Sequence, residues 1–243
     1  NAPKNLREEA ALLVADWLAP KEFDLMRNES RQFGPRNAAQ VGTGIAMHFA
    51  ALLECDSSKI QLAAIQAAMA NGLKNLDDVL LAQVQKTAAN IDVRTASLTA
   101  MQKLQCANLG LGLASAGSST EEKLRAQAVR MLAKWQPEQA LPILADVLPN
   151  AAPAEQAAAF VALADLKNAD ADELLAEWID RMGMGQVDPS VQLELFECAT
   201  ARAAGGNAAL TASLGTWRKR MDEQGPQVWK NISLHGGDIG AGK

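Results

Sequence analysis

The sequence predicts an all-α protein, a right-handed superhelical α-solenoid of about six stacked helix pairs. Three observations lead there. Alanine supplies 47 of the 243 residues, while Tyr is absent and Phe and Trp number five each. A chain so rich in the strongest helix former, and poor in β-branched residues, favours helix along nearly its whole length. Second, one short helical phrase recurs, an aliphatic residue followed by Arg or Gln and then small and apolar residues. Third, the residues three, four and seven places after that Arg or Gln are apolar or small, which marks one face of an α-helix.

The phrase opens at Leu6-Arg7, Ile60-Gln61, Val93-Arg94, Leu124-Arg125, Gln156 and Val191-Gln192. Successive intervals from Gln61 are 33, 31, 31 and 36 residues, whereas Arg7 to Gln61 is 54 and must contain an insertion. The third following position holds Ala10, Ala64, Ser97, Ala128, Ala159 and Leu195, small enough for close helix contact. The fourth holds Ala11, Ile65, Leu98, Val129, Phe160 and Phe196. The seventh holds Val14, Ala68, Met101, Leu132, Leu163 and Ala199. Between the phrases lie second apolar segments at 37–53, 75–88, 138–148, 170–182 and 207–221. The segment 106–116 completes the series despite its glycines. Asp56-Ser57-Ser58, Asp92, Ser118-Ser119-Thr120 and Asp188-Pro189 offer helix caps at the breaks.

A unit of this length holding two antiparallel helices cannot bury its apolar face alone, and stacking such units gives a continuous core. The phrase Asp92-Val93-Arg94 and its variant Asp188-Pro-Ser-Val191-Gln192 resemble the HEAT pattern, with Asp near the turn and Val-Arg opening the second helix. The expectation is therefore a HEAT/armadillo-like repeat region over 1–230, with 231–243 as a linker. A compact helical bundle is the structural alternative. The insertion at 18–37 breaks the helical pattern with Pro20, Gly34 and Pro35. It is expected to be a long loop pinned by Phe23, Met26 and Phe33, or else a docking loop for a neighbouring domain.

Chemistry-bearing motifs are few. The formal charge is −5, against the basic face that nucleic-acid binding requires. No run of eighteen apolar residues escapes a charge or strong polar break, so no membrane span is expected. Cys55, Cys106 and Cys198 sit among apolar residues, too far apart for a local metal knuckle, and read as small buried hydrophobes. Acid pairs at Glu8-Glu9, Asp77-Asp78 and Glu121-Glu122 open helices, where the dipole favours them; Asp222-Glu223 is a fourth pair. His48 lies in an apolar helix without a second ligand at i+4. No HExxH, CxxC, CxxCH or GxSxG occurs, so no catalytic, cofactor or metal site is expected. Gly237 to Lys243 matches GxxxxGK, but the strand before it is arguable and the required Ser/Thr and helix do not follow it.

The stretch from about 124 to 243 resembles the region before the cytochrome-c-like module of Pirellula/Verrucomicrobium-type haem-binding proteins. The phrases that carry the likeness are Ala140-Leu-Pro-Ile-Leu, Glu155-Gln-Ala-Ala-Ala-Phe-Val-Ala-Leu and Leu174-Leu-Ala-Glu-Trp-Ile-Asp-Arg-Met. They continue with Gly185-Gln-Val-Asp-Pro-Ser-Val-Gln-Leu-Glu-Leu-Phe-Glu-Cys-Ala and end with Leu234-His-Gly-Gly-Asp-Ile-Gly-Ala-Gly-Lys. Upstream, Leu6-Arg7-Glu-Glu-Ala with Trp17 and Pro20 resembles the family's first repeat, and Leu124-Arg125 with Trp135 and Pro137 echoes it. The resemblance implies an extracytoplasmic parent chain with a sugar-dehydrogenase-like propeller before these repeats and a covalent haem c module after them. The neighbouring domains of the same chain are then the partners. A chain that starts at Asn1 and stops after Gly-Ala-Gly-Lys reads as a piece of that longer protein.

The function expected is a non-catalytic spacer that positions the two redox domains. The alternatives are a stand-alone protein- or peptide-binding adaptor and, more remotely, an enzyme with a site around His48 or His235. Arg7, Arg94 and Arg125 share one column and are expected to brace adjacent repeats or to meet a partner.

Overall fold

The computed structural model describes residues 2–17, 23–24, 29–30 and 38–224. Among these, twelve α-helices account for almost all regular structure, so the protein is all-α. A two-residue antiparallel pairing joins β1 (Phe23–Asp24) to β2 (Glu29–Ser30) within the insertion. The rest of that insertion, and the tail with His235 and the GxxxxGK stretch, lie outside the described residues. Contacts divide the chain into two compact units, Asn1–Ser118 and Ser119–Lys243.

The first unit contains α1 (Lys4–Ala15), α2 (Ala38–Leu53), α3 (Ser58–Asn71), α4 (Asp77–Gln85), α5 (Ile91–Lys103) and α6 (Leu109–Gly117). Its helices start and stop for local reasons. Ser57 Oγ accepts from Ile60 N to open α3, and Gly72 at φ 59° ends it, with Leu73 N donating back to Ala68 O. At α5 the cap is Asn90, whose side chain accepts from Asp92 N at 2.8 Å. Asp92, expected as the cap, falls instead in the first turn, because the helix begins one residue before it. The glycines of α6 do not break it. Gly112 faces Met101, and a Cβ there would lie 3.0 Å from the Met101 Sδ and Cε. Helix α3 lies beside both α1 and α5, while α2 packs on α3 and α6 packs on α4 and α5. Ile65, Leu80, Leu98 and Met101 are fully enclosed in this unit.

The second unit contains α7 (Glu122–Trp135), α8 (Pro137–Val147), α9 (Pro153–Asp165), α10 (Ala169–Gly183), α11 (Gln192–Ala203) and α12 (Ala208–Gln224). Pro137 and Pro153 occupy first-turn positions, where their missing N–H costs no helical bond. Asn168 and Asn207 cap α10 and α12 by accepting from Ala171 N and Leu210 N. Asp188 caps a short 3-10 turn, Pro189–Val191, that leads into α11. Helix α9 is the centre of the unit, packed against α7, α8, α10 and α11, and α10 lies beside α12. Its Phe160 meets the Trp178 ring edge-on at 5.4 Å between centroids.

In five of the six phrases, the columns read from the sequence form buried or half-buried faces. Helix α1 is the departure. Ala10 and Val14 are exposed, as are Leu6, Leu12 and Leu13, the last by 71%. The apolar period places these residues on a helix but does not supply anything to cover them.

Candidate functional site

The recurring Arg/Gln position has a shared geometry. Gln61 Nε2 donates to Leu53 O and Cys55 O at 2.8 Å each, and Arg94 Nε donates to Val84 O at 2.9 Å. Arg125 Nη1 donates to Ser119 O and Thr120 O at 2.9 Å each. Gln156 Nε2 reaches Leu148 O at 3.0 Å, and Gln192 Nε2 reaches Val187 O at 2.9 Å. Each acceptor lies at the end of the preceding helix or in the turn that follows it. The last carbonyls of a helix have no intrahelical partner and form the negative end of its dipole. Side-chain donors from the next helix reach such carbonyls at Leu53, Val84 and Leu148, whereas at Cys55, Ser119, Thr120 and Val187 they hold the connecting turn. Arg94, 3% exposed, sits entirely inside this clamp. Arg7 differs: it is exposed on α1 and lines an apolar groove.

A second set of polar contacts links positions about one repeat apart within each unit. Arg125 makes a two-pronged bond to Glu155, Nε to Oε1 at 2.9 Å and Nη2 to Oε2 at 2.7 Å, across a separation of 30 residues. Glu155 holds the Arg125 guanidinium above its ordinary pKa through that hydrogen bond. Arg202 pairs with Asp172, again 30 residues away, and Asn207 donates to the same carboxylate. In the first unit, Asp77 Oδ1 accepts from Ala107 N at 2.7 Å, and Lys86 Nζ meets Glu54 at 2.7 Å. Ser57 Oγ donates to Glu8 and holds that carboxyl below its usual range, with Lys59 adding to the effect. The acids Glu155 and Asp172 are not singled out by sequence reasoning. Their signal is the distance of 30 residues between opposite charges, close to the repeat spacing.

Little of the arrangement suits covalent chemistry. Burial pushes the Cys106 thiol up to about 11, with Asp77 adding to the shift, and burial likewise pushes Cys198 up to about 11. Neither supplies a thiolate at neutral pH. Cys55 follows α2, Cys106 precedes α6 and Cys198 lies in α11. No two of them form the paired attachment that covalent haem c needs, so the described residues do not fit that group. His48 is exposed on α2. Among the described residues, no three His, Cys, Asp or Glu gather closely enough to hold a metal ion, and no helix is long and apolar enough to cross a membrane.

Open cavities among the described residues of the first unit include three. One of ≈ 370 Å³ runs between α1, α2 and α3, with Arg7, Val14, Ile45 and Leu52 on its walls. The second, ≈ 430 Å³, is a groove between α2 and α4 floored by Ala50, Leu53, Val79 and Ala82. A third, of ≈ 340 Å³, lies at the end of that groove among Asp56, Gln61 and Asn90, and shares Gln83 and Lys86 with it. Gln83 is the polar residue that sequence reasoning missed, since it sits in α4 within the apolar run Leu-Leu-Ala-Gln-Val. Compared with family models, with curated proteins and with solved structures, the chain matches none of them.

Proposed function

We propose that the chain is a non-catalytic HEAT-like repeat scaffold, in which six helix pairs stack as a right-handed solenoid and hold other domains at a set spacing. The observation that carries this reading is the five-fold clamp at Gln61, Arg94, Arg125, Gln156 and Gln192. A shared donor position that ties these five helices to the end of the preceding helix or to the turn after it favours similar rigid units, and rigid units in series transmit position. The resemblance at 124–243 supplies the domains to be positioned, a sugar-dehydrogenase-like propeller and a c-type haem module of one extracytoplasmic polypeptide. Tethering a redox donor near its acceptor raises its effective concentration without any new contact. On this reading the haem belongs to the neighbouring module, and the residues described here contribute geometry alone.

The test is to read the parent gene beyond the codon for Lys243. A CxxCH within about 30 codons is the expected result, since that motif attaches haem c. A stop codon there overturns the spacer reading. It would leave the second reading, a stand-alone adaptor for a protein or peptide, which the groove between α2 and α4 favours.

A further inference from the structure

We propose that the groove between α2 and α4 binds a short extended peptide segment carrying a basic side chain, with Gln83 Nε2 donating to one of its main-chain carbonyls. The proposal goes beyond the spacer reading and does not depend on it, because a repeat surface can bind a ligand while the repeats hold other domains. Gln83 is 2% exposed, lines both adjoining cavities, and its amide nitrogen meets no acceptor among the described residues. A buried donor left unpaired is costly, and native proteins satisfy nearly all of them. A ligand carbonyl is the group that would satisfy this one.

Charge selects the rest of the ligand. Glu54, Asp56 and Asp78 line the two cavities with a single cation, Lys86, whose Nζ already lies 2.7 Å from Glu54. Three carboxylates against one ammonium repel an anion, so a phosphate or a free carboxylate is a poor occupant. The same surplus attracts a Lys or Arg side chain to Asp56 and Asp78, both exposed and without an ion-pair partner among the described residues. Leu53, Val79 and the methyl groups of Ala50 and Ala82 offer apolar floor between them. A neutral carbonyl acceptor, a small apolar group and a cation in one flexible strand is the composition of a basic peptide.

Fluorescence anisotropy of the full chain with a labelled Ala-Leu-Lys-Ala-Lys-Leu peptide tests this, with the Glu-for-Lys peptide as its counterpart. Saturable binding of the basic peptide alone is expected. Gln83→Met should weaken it about tenfold, the effect of losing one well-placed hydrogen bond, without lowering the thermal midpoint, because it removes an unsatisfied donor while keeping the shape. A double substitution, Asp56→Asn with Asp78→Asn, leaves the core untouched and should weaken binding and flatten its salt dependence. No saturation up to about 1 mM, equal binding of the acidic peptide, or unchanged affinity in either variant overturns the site. The parent gene tests the spacer reading separately, so a blank titration and a missing CxxCH are distinct failures.

Discussion

At Arg125 one guanidinium closes two different joints. Its Nη1 holds the carbonyls that precede its own helix, while Nε and Nη2 grip Glu155 on the neighbouring α9. Arg suits this position because its planar fork presents several donors at fixed angles, which the single ammonium of Lys cannot reproduce. Glu155 is buried and Arg125 partly so; removing the acid leaves a half-enclosed cation with its remaining bonds to neutral carbonyls. Glu155→Ala should therefore lower unfolding stability by about 2–3 kcal/mol, below the full cost of orphaning a buried ion because Arg125 retains some solvent. Glu155→Gln keeps one acceptor and should lose less. By contrast, Lys134 and Asp165 are exposed partners at 3.3 Å, and Asp165→Asn should cost under about 1 kcal/mol. Urea denaturation of the three variants checks the ranking, and Glu155→Ala unfolding like Asp165→Asn would show that the fork is only a surface pair. The column that contains Arg125 was legible in the sequence, since Arg and Gln recur there at a near-constant interval. Where those side chains point was not, because a helical period specifies a face and not the carbonyls in front of it.

The helices themselves were the most legible level. Expected segments at 37–53, 75–88 and 170–182 become Ala38–Leu53, Asp77–Gln85 and Ala169–Gly183, with ends set by caps that apolar spacing does not encode. Gly-Leu-Gly-Leu in α6 weakens the helical signal for a physical reason that becomes visible only in three dimensions: the helix approaches Met101 closely at Gly112. A sequence shows the entropy cost of glycine and hides the neighbour that requires it. The unpaired amide of Gln83 is illegible for a similar reason, since its isolation depends on what surrounds α4 in space. Two glycines make the contrast measurable. Gly215 lies exposed in the middle of α12, where an added Cβ meets nothing within 4 Å. Gly215→Ala should stabilise the protein by about 1 kcal/mol through helix propensity. At Gly112 a Cβ already lies 3.0 Å from fully buried Met101 and 3.3 Å from Leu98, so the larger Gly112→Val should destabilise by about 1–3 kcal/mol. Thermal or urea unfolding reads both, and a Gly112→Val protein as stable as the parent would show that α6 has room it does not need.

For the whole molecule the question is whether six pairs run as one array, since the proposed spacer would act only through the distance it imposes. Within the first unit α3 lies beside α1 and α5, and within the second α9 lies beside α7 and α11, the side-by-side order that a solenoid repeats. The proposed solenoid carries that order through both units with neighbouring packed helices about 8–10 Å apart, so on that proposal five steps from α1 to α11 should separate them by roughly 45 Å. A globular bundle of the same helices returns the chain on itself, with a radius of gyration of about 18 Å, and brings those two within about 30 Å. Glu9 on α1 and Glu197 on α11 are exposed, so a spin label at either need not disturb the core. With Cys55, Cys106 and Cys198 replaced by alanine, pulsed electron-spin distance measurement on the Glu9→Cys, Glu197→Cys chain should give one narrow distribution near roughly 45 Å. A narrow peak under about 30 Å would overturn the continuous array in favour of the bundle. A broad distribution would overturn the rigid spacer, because an arm without a defined length cannot hold a donor at a fixed place beside its acceptor.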